Sequence, residues 1–169
     1  MESRAPDLSL LVPIYNEAGH LPGVLDQLLS VKWNCTVELV LIDDCSKDNS
    51  FQVMNTWVSE NQEALKTNGI TVQIEKLPVN GGKGGAIHKA VELARGKVLI
   101  VQDSDFEYDP NEVPALVAPI LANRADVVYG SRFKKTSRQV HRTFHYLANR
   151  ILTALSNLFS GIYLTDMET

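Results

Sequence analysis

The chain has 169 residues, of which 44% are hydrophobic and 21% charged, with a formal net charge of −4. That length and balance predict one soluble globular domain that buries a core without disulfides or metal staples, and they give no global pull toward nucleic acid or anionic lipid. Cys35 and Cys45 form neither a close-spaced ligand pair nor a disulfide framework, which points to a reducing, cytosolic compartment. The N-terminal Met-Glu-Ser-Arg-Ala-Pro-Asp lacks the apolar core of a secretory signal, and no apolar run approaches the ~20 residues that span a bilayer. Membrane contact is therefore expected to be peripheral, on the cytoplasmic face.

Leu8 to Ile14 is apolar apart from Ser9 and Pro13, which predicts a buried strand. Tyr15-Asn16-Glu17 follows, and Leu21, Val24, Leu25, Leu28 and Leu29 then recur at helical spacing. Asn16 is placed to cap that helix, and Glu17 lies near its positive end, serving either the cap or a ligand. Val37 to Ile42 is the second strand and stops at Asp43 and Asp44. Phe51, Met54, Trp57 and Val58 predict a helix to about Lys66, with Asp48 or Asn49 as its cap. Two adjacent carboxylates exceed what a cap requires; a carboxylate offers only acceptors, which suits a base N–H or ribose hydroxyls.

Ile70 to Leu77 reads as a third strand, followed by Gly81-Gly82-Lys83-Gly84-Gly85 and a helix through Ala86, Ile87, Ala90, Val91 and Ala94. The glycine run matches neither the phosphate-binding loop G-x-x-x-x-G-K-[ST] nor the dinucleotide fingerprint, since Ile87 stands at the third glycine. Lys83 in such a loop suits contact with a diphosphate, and the same run also serves as a plain turn into a tightly packed helix. Val98 to Val101 predicts a strand buried on both faces that ends at Asp103, Asp105, Glu107 and Asp109. Extended backbone sends Asp103 and Asp105 to one side, where they can share one hard cation, with Glu107 as a further ligand or a partner to the ligands if the chain stays extended; a solvated turn capping the helix after Pro110 is the structural alternative.

Asn111 to Leu121 predicts a helix that tolerates Pro114 and is kinked or shortened by Pro119. Ala125 to Tyr129 reads as a strand leading to Gly130-Ser131-Arg132, and Lys134, Lys135, Arg138, His141 and Arg142 form a basic segment suited to an anionic partner. Phe144 to Phe159 has a strong helical apolar pattern, read as core packing or an interface, with a lipid contact as the further alternative, and Gly161 ends it. Strand and helix alternate, so the expected architecture is α/β, a mostly parallel Rossmann-like sheet with helices on both faces. The polar strand ends then open on one edge, and that convergence marks a ligand site.

Val12-Pro13-Ile-Tyr15-Asn16-Glu17, Asp43-Asp44-x-Ser46-x-Asp48, Asn80-x-Gly82-Lys83-Gly84, Gln102-Asp103-Ser104-Asp105 and Gly130-Ser131-Arg132 occur in the order found in family 2 inverting glycosyltransferases of the GT-A fold. The chain most resembles the dolichyl-phosphate mannose and polyprenyl-phosphate glucose synthases, and His145-x-x-x-Asn149 and Thr165-Asp166-Met-Glu-Thr add to the likeness. The resemblance implies that Pro13, Tyr15, Glu17 and Ile42 line a nucleoside pocket, with Asp44 on the base or ribose and Asp43 beside it. It implies that Asp103 and Asp105 hold Mg²⁺ or Mn²⁺ against the donor diphosphate, with Glu107 as a third candidate ligand. Gln102, Ser104 and Lys83 join the substrate-binding set, and Arg132, with Arg142, meets the acceptor phosphate or the donor diphosphate. Asp105 and Arg132 are the expected catalytic residues.

The implied partners are a UDP- or GDP-linked sugar and a polyprenyl phosphate, with hexose transfer by inversion. A lipid phosphate is already mostly dianionic at neutral pH and needs cations to position it, not a base. A polysaccharide or other hydroxyl acceptor would need a base, for which Asp166 is the nominee, and a non-catalytic nucleotide-sugar-binding module is the third reading. Family members continue through more of an acceptor-side lobe, so the 1–169 catalytic domain is expected to be incomplete at its C-terminal end.

Overall fold

The computed structural model describes residues 5–106, 108–130, 143–161 and 163–165, with the helical backbone alone for 143–148. Two compact units divide the chain, residues 1–117 and 118–169.

In the first unit, β1 (Leu8–Ile14), β2 (Val37–Asp43), β3 (Ile70–Lys76) and β4 (Val98–Val101) form a four-stranded sheet in the order β3-β2-β1-β4. Every neighbouring pair is parallel, with Ile14 opposite Asp43 and Asp43 opposite Lys76. Chain order reverses between β1 and β4, so their carboxyl ends part there and leave a crevice, the usual ligand position in an open α/β sheet.

β1 and β2 are buried along their whole length, which requires cover on both faces. One set of alternating residues, including Leu11, Val40 and Ile42, packs against Ala86 and Ala90 of α4 (Gly82–Leu93). The small alanines let that helix approach closely. The opposite set, including Leu10, Val12, Leu39 and Leu41, is equally buried on the face of α1 (Leu21–Ser30) and α2 (Ser50–Glu60). Leu21, Val24, Leu25 and Leu28 are the buried stripe of α1. Trp57 of α2 donates from its indole N–H to Asp26 Oδ1 at 2.7 Å, fixing the two helices to each other.

Several expectations are corrected. β4 is not buried on both faces: Leu99 and Val101 are exposed, and among the described residues the strand has β1 as its one neighbour in the sheet. α1 begins at Leu21, not directly after Asn16, whose backbone is left-handed (φ 57°) and whose side chain accepts from Lys47 N at 2.8 Å. That bond commits Asn16 to the neighbouring turn instead of a cap. The single helix expected from Phe51 to Lys66 is two, α2 and α3 (Gln62–Thr67), broken where Asn61 bonds back to Trp57 O through both its backbone and its side chain. Residues 125–129 are not a strand; among the described residues no strand pairs with them, and Val127 and Tyr129 are exposed.

A 3₁₀ turn (Pro110–Glu112), capped by the side chain of Asp109 on Asn111 N, leads into α5 (Val113–Leu121), which accommodates Pro119 two residues before its end. In the second unit, α6 (Thr143–Ser160) ends at Gly161, whose φ of 70° is the left-handed terminus that glycine adopts without strain. Asn157 closes that end by accepting from Leu164 N and donating to Leu164 O. Asn149 and Thr153 are buried and bonded to each other, whereas Ile151, Leu152, Leu155, Leu158 and Phe159 are exposed. Core packing by that apolar pattern is therefore corrected.

Candidate active site

The parallel register brings the carboxyl ends of β1 and β2 into line, and β4 joins them when Gln102 N donates to Leu11 O at 2.9 Å. The segments leaving these strands enclose a cavity of about 440 Å³. Pro13, Tyr15 and Glu17 line it from β1, Asp44 from β2, Lys83 from the start of α4, and Asp103, Ser104 and Asp105 from β4.

Alternation along β2 explains why two adjacent carboxylates do different things. Asp44 follows Val40 and Ile42 toward the α4 face, where its Oδ1 accepts from Gly81 N at 2.7 Å while Asn80 Nδ2 donates to its carbonyl at 3.1 Å. The resulting turn hands the chain to Gly82, whose φ of 70° calls for glycine, and so aims Lys83 into the cavity. Asp43 takes the other face and is fully buried. Its Oδ2 accepts from Ser46 N at 3.2 Å and lies 3.7 Å from Lys76 Nζ; Oδ1 is the buried side-chain oxygen that has no hydrogen-bond partner among the described residues.

The β1 wall is held by the β2 turn. Asn16 N donates to Ser46 Oγ at 3.0 Å, Glu17 N to Ser50 Oγ at 2.8 Å and Ala18 N to Asp48 Oδ2 at 3.2 Å. Asn16 and Cys45 both adopt left-handed backbones, at φ 57° and 58°, in the two turns that these bonds join. Burial works against ionisation of Asp48, but the Ser50 hydroxyl and amide and the Ala18 amide more than offset it, so its carboxyl titrates below its ordinary range. Ser46 and Ser50 thus support the site without lining it, a role that residue type alone does not announce.

On the β4 side, Lys83 Nζ lies 2.6 Å from Asp103 Oδ1. The ammonium marks that carboxylate as a place where a cation sits. Asp103 and Asp105 supply hard oxygen ligands on one cavity wall, a donor set suited to a divalent ion completed by phosphate oxygens and water. Among the described residues no group of three or more His, Cys, Asp or Glu side chains is arranged to hold a metal ion by itself.

Other expected residues lie elsewhere. Ile42 is fully buried in the core beneath α4 and does not line the cavity, and neither does Asp43. Gln102 is also buried, with its side-chain amide donating to Asp103 O at 3.2 Å, so its described bond supports the backbone of the carboxylate segment. Glu107, Arg132, Arg142 and Asp166 lie outside the described residues. Asn80, which belongs to the Asn80-x-Gly82-Lys83-Gly84 motif but was given no site role, lines the cavity, as does Ala86, whose residue type gave no site signal.

The profile of glycosyl transferase family 2 matches residues 9–166, nearly the whole chain. The chain belongs to that family. Among curated family relatives, it is 30% identical to a dolichyl-phosphate beta-glucosyltransferase of Dictyostelium discoideum over 135 residues, covering 74% of this chain and 39% of the relative. It is 30% identical to the undecaprenyl-phosphate 4-deoxy-4-formamido-L-arabinose transferase of Pseudomonas fluorescens over 161 residues, covering 94% and 44%. The chain thus spans about two fifths of the length of these relatives.

In fold it is similar to a Pyrobaculum calidifontis mannosyltransferase solved with GDP-mannose and Mn²⁺, at TM-score 0.54 and 22% identity over 67% of this chain and 31% of that one. It also resembles residues 1–349 of S. aureus TarS solved with UDP, at TM-score 0.57 and 23% identity over 78% and 38%. These likenesses establish the GT-A-like α/β architecture expected from the sequence. No helix among the described residues is long and apolar enough to cross a membrane.

Proposed function

We propose that this chain carries the donor site of an enzyme that moves a hexose from a nucleoside diphosphate sugar to a polyprenyl phosphate with inversion. The observation that carries the reading is the convergence of Asp44, Lys83, Asp103 and Asp105 on one cavity at the β1–β4 crevice of a family 2 chain. Relatives named for dolichyl- and undecaprenyl-phosphate transfer support the acceptor class.

In this reading Tyr15 and Glu17 flank the nucleoside, and Asp44 accepts from base or ribose while keeping the Gly81 amide. Mg²⁺ or Mn²⁺ at Asp103 and Asp105, with Glu107 as a candidate third ligand, would act as a Lewis acid toward the leaving nucleoside diphosphate. Lys83 reaches the same diphosphate as a point charge. Arg132 and Arg142, in the basic segment before α6, supply the cations that a dianionic acceptor requires. Such an acceptor reaches the chain from a membrane surface, so peripheral association belongs to the proposal.

Calorimetric titration with UDP-glucose and GDP-mannose, each with Mn²⁺ and with chelator, tests the donor site. Metal-dependent binding of one donor, lost in Asp105→Ala, is the expected result. A folded chain that binds neither donor would overturn the reading. Transfer to polyprenyl phosphate by the longest available form of the protein then tests the acceptor, with Arg132→Ala expected to lower transfer and spare nucleotide affinity.

A further inference from the structure

We propose that Lys83 is an exchange partner that makes cation and donor binding interdependent: it holds Asp103 until a nucleoside diphosphate arrives, then transfers to the phosphates and leaves Asp103 to the divalent ion. This inference rests on the nucleotide-sugar reading and deepens it.

Two observations carry it. The first is the 2.6 Å contact of Lys83 Nζ with Asp103 Oδ1, on a lysine side chain that is 60% exposed and so free of packing that would fix it there. A lysine ammonium on a flexible stem relocates readily between anions. The second is the charge of the cavity lining: among the described residues, the carboxylates of Glu17, Asp44, Asp103 and Asp105 line it together with the ammonium of Lys83.

Each ligand alone therefore meets an obstacle. A divalent ion approaching Asp103 must displace Lys83 and then stand near an ammonium that has lost its counter-ion. A diphosphate entering alone meets the four carboxylates, with its cationic partner already engaged. When both arrive together, the ion takes Asp103, the ammonium takes the phosphates, and neither charge is stranded. By linkage, the factor by which nucleotide tightens the cation equals the factor by which the cation tightens nucleotide, and Lys83 contributes to both.

The test measures free Mn²⁺ by electron paramagnetic resonance in titrations of wild type, Lys83→Met and Lys76→Met, each with Mn²⁺ alone and with saturating UDP or GDP. Circular dichroism confirms that the variants are folded. Lys76 pairs with Asp43 at the same sheet edge but does not line the cavity, so its variant removes an equal charge without removing the exchange.

The expected result is that Lys83→Met binds Mn²⁺ alone on the order of tenfold more tightly than wild type, and that the tightening by nucleotide shrinks by a similar factor, within the usual range of coupling between sites. Lys76→Met behaves as wild type. Unchanged Mn²⁺ affinity, an unchanged tightening factor in Lys83→Met, or an equal gain in Lys76→Met would overturn the exchange while leaving a nucleotide-binding wild type intact. A folded wild type that binds neither nucleotide with Mn²⁺ would overturn the donor reading, and the exchange with it.

Discussion

Glu17 and Ser50 stand 33 residues apart in the chain, yet the Glu17 amide donates to the Ser50 hydroxyl at 2.8 Å, and that hydroxyl in turn meets Asp48. The bond fixes where the β1 wall of the cavity stands relative to the first turn of α2. Ser50 is fully buried, so Ser50→Ala leaves the Glu17 amide without that partner and should destabilise the fold by about 1–2 kcal/mol. If the wall holds the nucleoside as proposed, nucleotide affinity should fall several-fold in the same variant, whereas Ser59→Ala, at an exposed hydroxyl late in α2, should change neither. Chemical denaturation and calorimetry read the two effects.

The three strands β1 to β3 were legible in the sequence because β1 and β2 are apolar runs between polar turns, the β2 run stops at a carboxylate pair, and Ile70 to Leu77 alternates imperfectly. What a run of apolar residues does not encode is its place in the sheet. Val98 to Val101 looks like a central strand, yet among the described residues it stands at one end of the sheet order, a place decided by which neighbours exist. The cavity residues at Tyr15 to Glu17, Asp44, Lys83 and Asp103 to Asp105 were readable as polar strand ends and a glycine loop. Their supports were not, since Ser46 and Ser50 act by accepting from the Asn16 and Glu17 amides, distant in the chain, across two turns that carry left-handed backbones at Asn16 and Cys45. The contact of Lys83 with Asp103 was equally hidden, as it depends on the strand order that sets α4 beside the end of β4.

At the opposite end of the strands, fully buried Glu38 accepts from Ser9 Oγ, Gln73 Nε2, and the backbone and guanidinium of Arg95. Burial opposes its charge, but the Arg95 amide and these side-chain donors outweigh it and hold the carboxyl below its usual range. Arg95→Ala should cost about 2 kcal/mol, since a buried carboxylate loses charged donors, and lower the urea midpoint by roughly 1 M. Nucleotide binding should be unchanged, because this network lies away from the cavity.

Gly96 packs against β1 so closely that an added Cβ would lie 2.5 Å from Ser9 N and 2.8 Å from Leu8 C. Backbone cannot yield as a side-chain tip does. Gly96→Ala should therefore destabilise by about 1–3 kcal/mol through overpacking, a fall of several degrees in melting temperature for a chain of this size. Gly84→Ala, where the added Cβ has nothing within 4 Å, provides the contrast in the same measurement.

Asp7 ties the start of β1 to its neighbours: hydrogen bonds first from Lys97, then from the Thr36 hydroxyl and amide, lower its pKa from 3.8 to about 2. A folded-state value below the unfolded one means the stabilisation is present above pH ~4 and is lost as pH falls from there through about 2. Asp7→Asn should flatten the decline of stability across that window and leave the slope above pH 5 unaltered. Denaturation midpoints taken at half-unit steps of pH from 2 to 6 check this.

The two turns that meet through Asn16, Ser46, Asp48 and Ser50 have a consequence for any attempt to change what the cavity accepts. Because the amides of one turn are answered by side chains of the other, grafting a donor-selective β1 turn from another family member onto this scaffold imports half of a lock. A chimera that carries residues 15–18 and 45–50 together keeps both halves from one parent. Replacing either segment alone leaves amides facing hydroxyls that their new partners do not match.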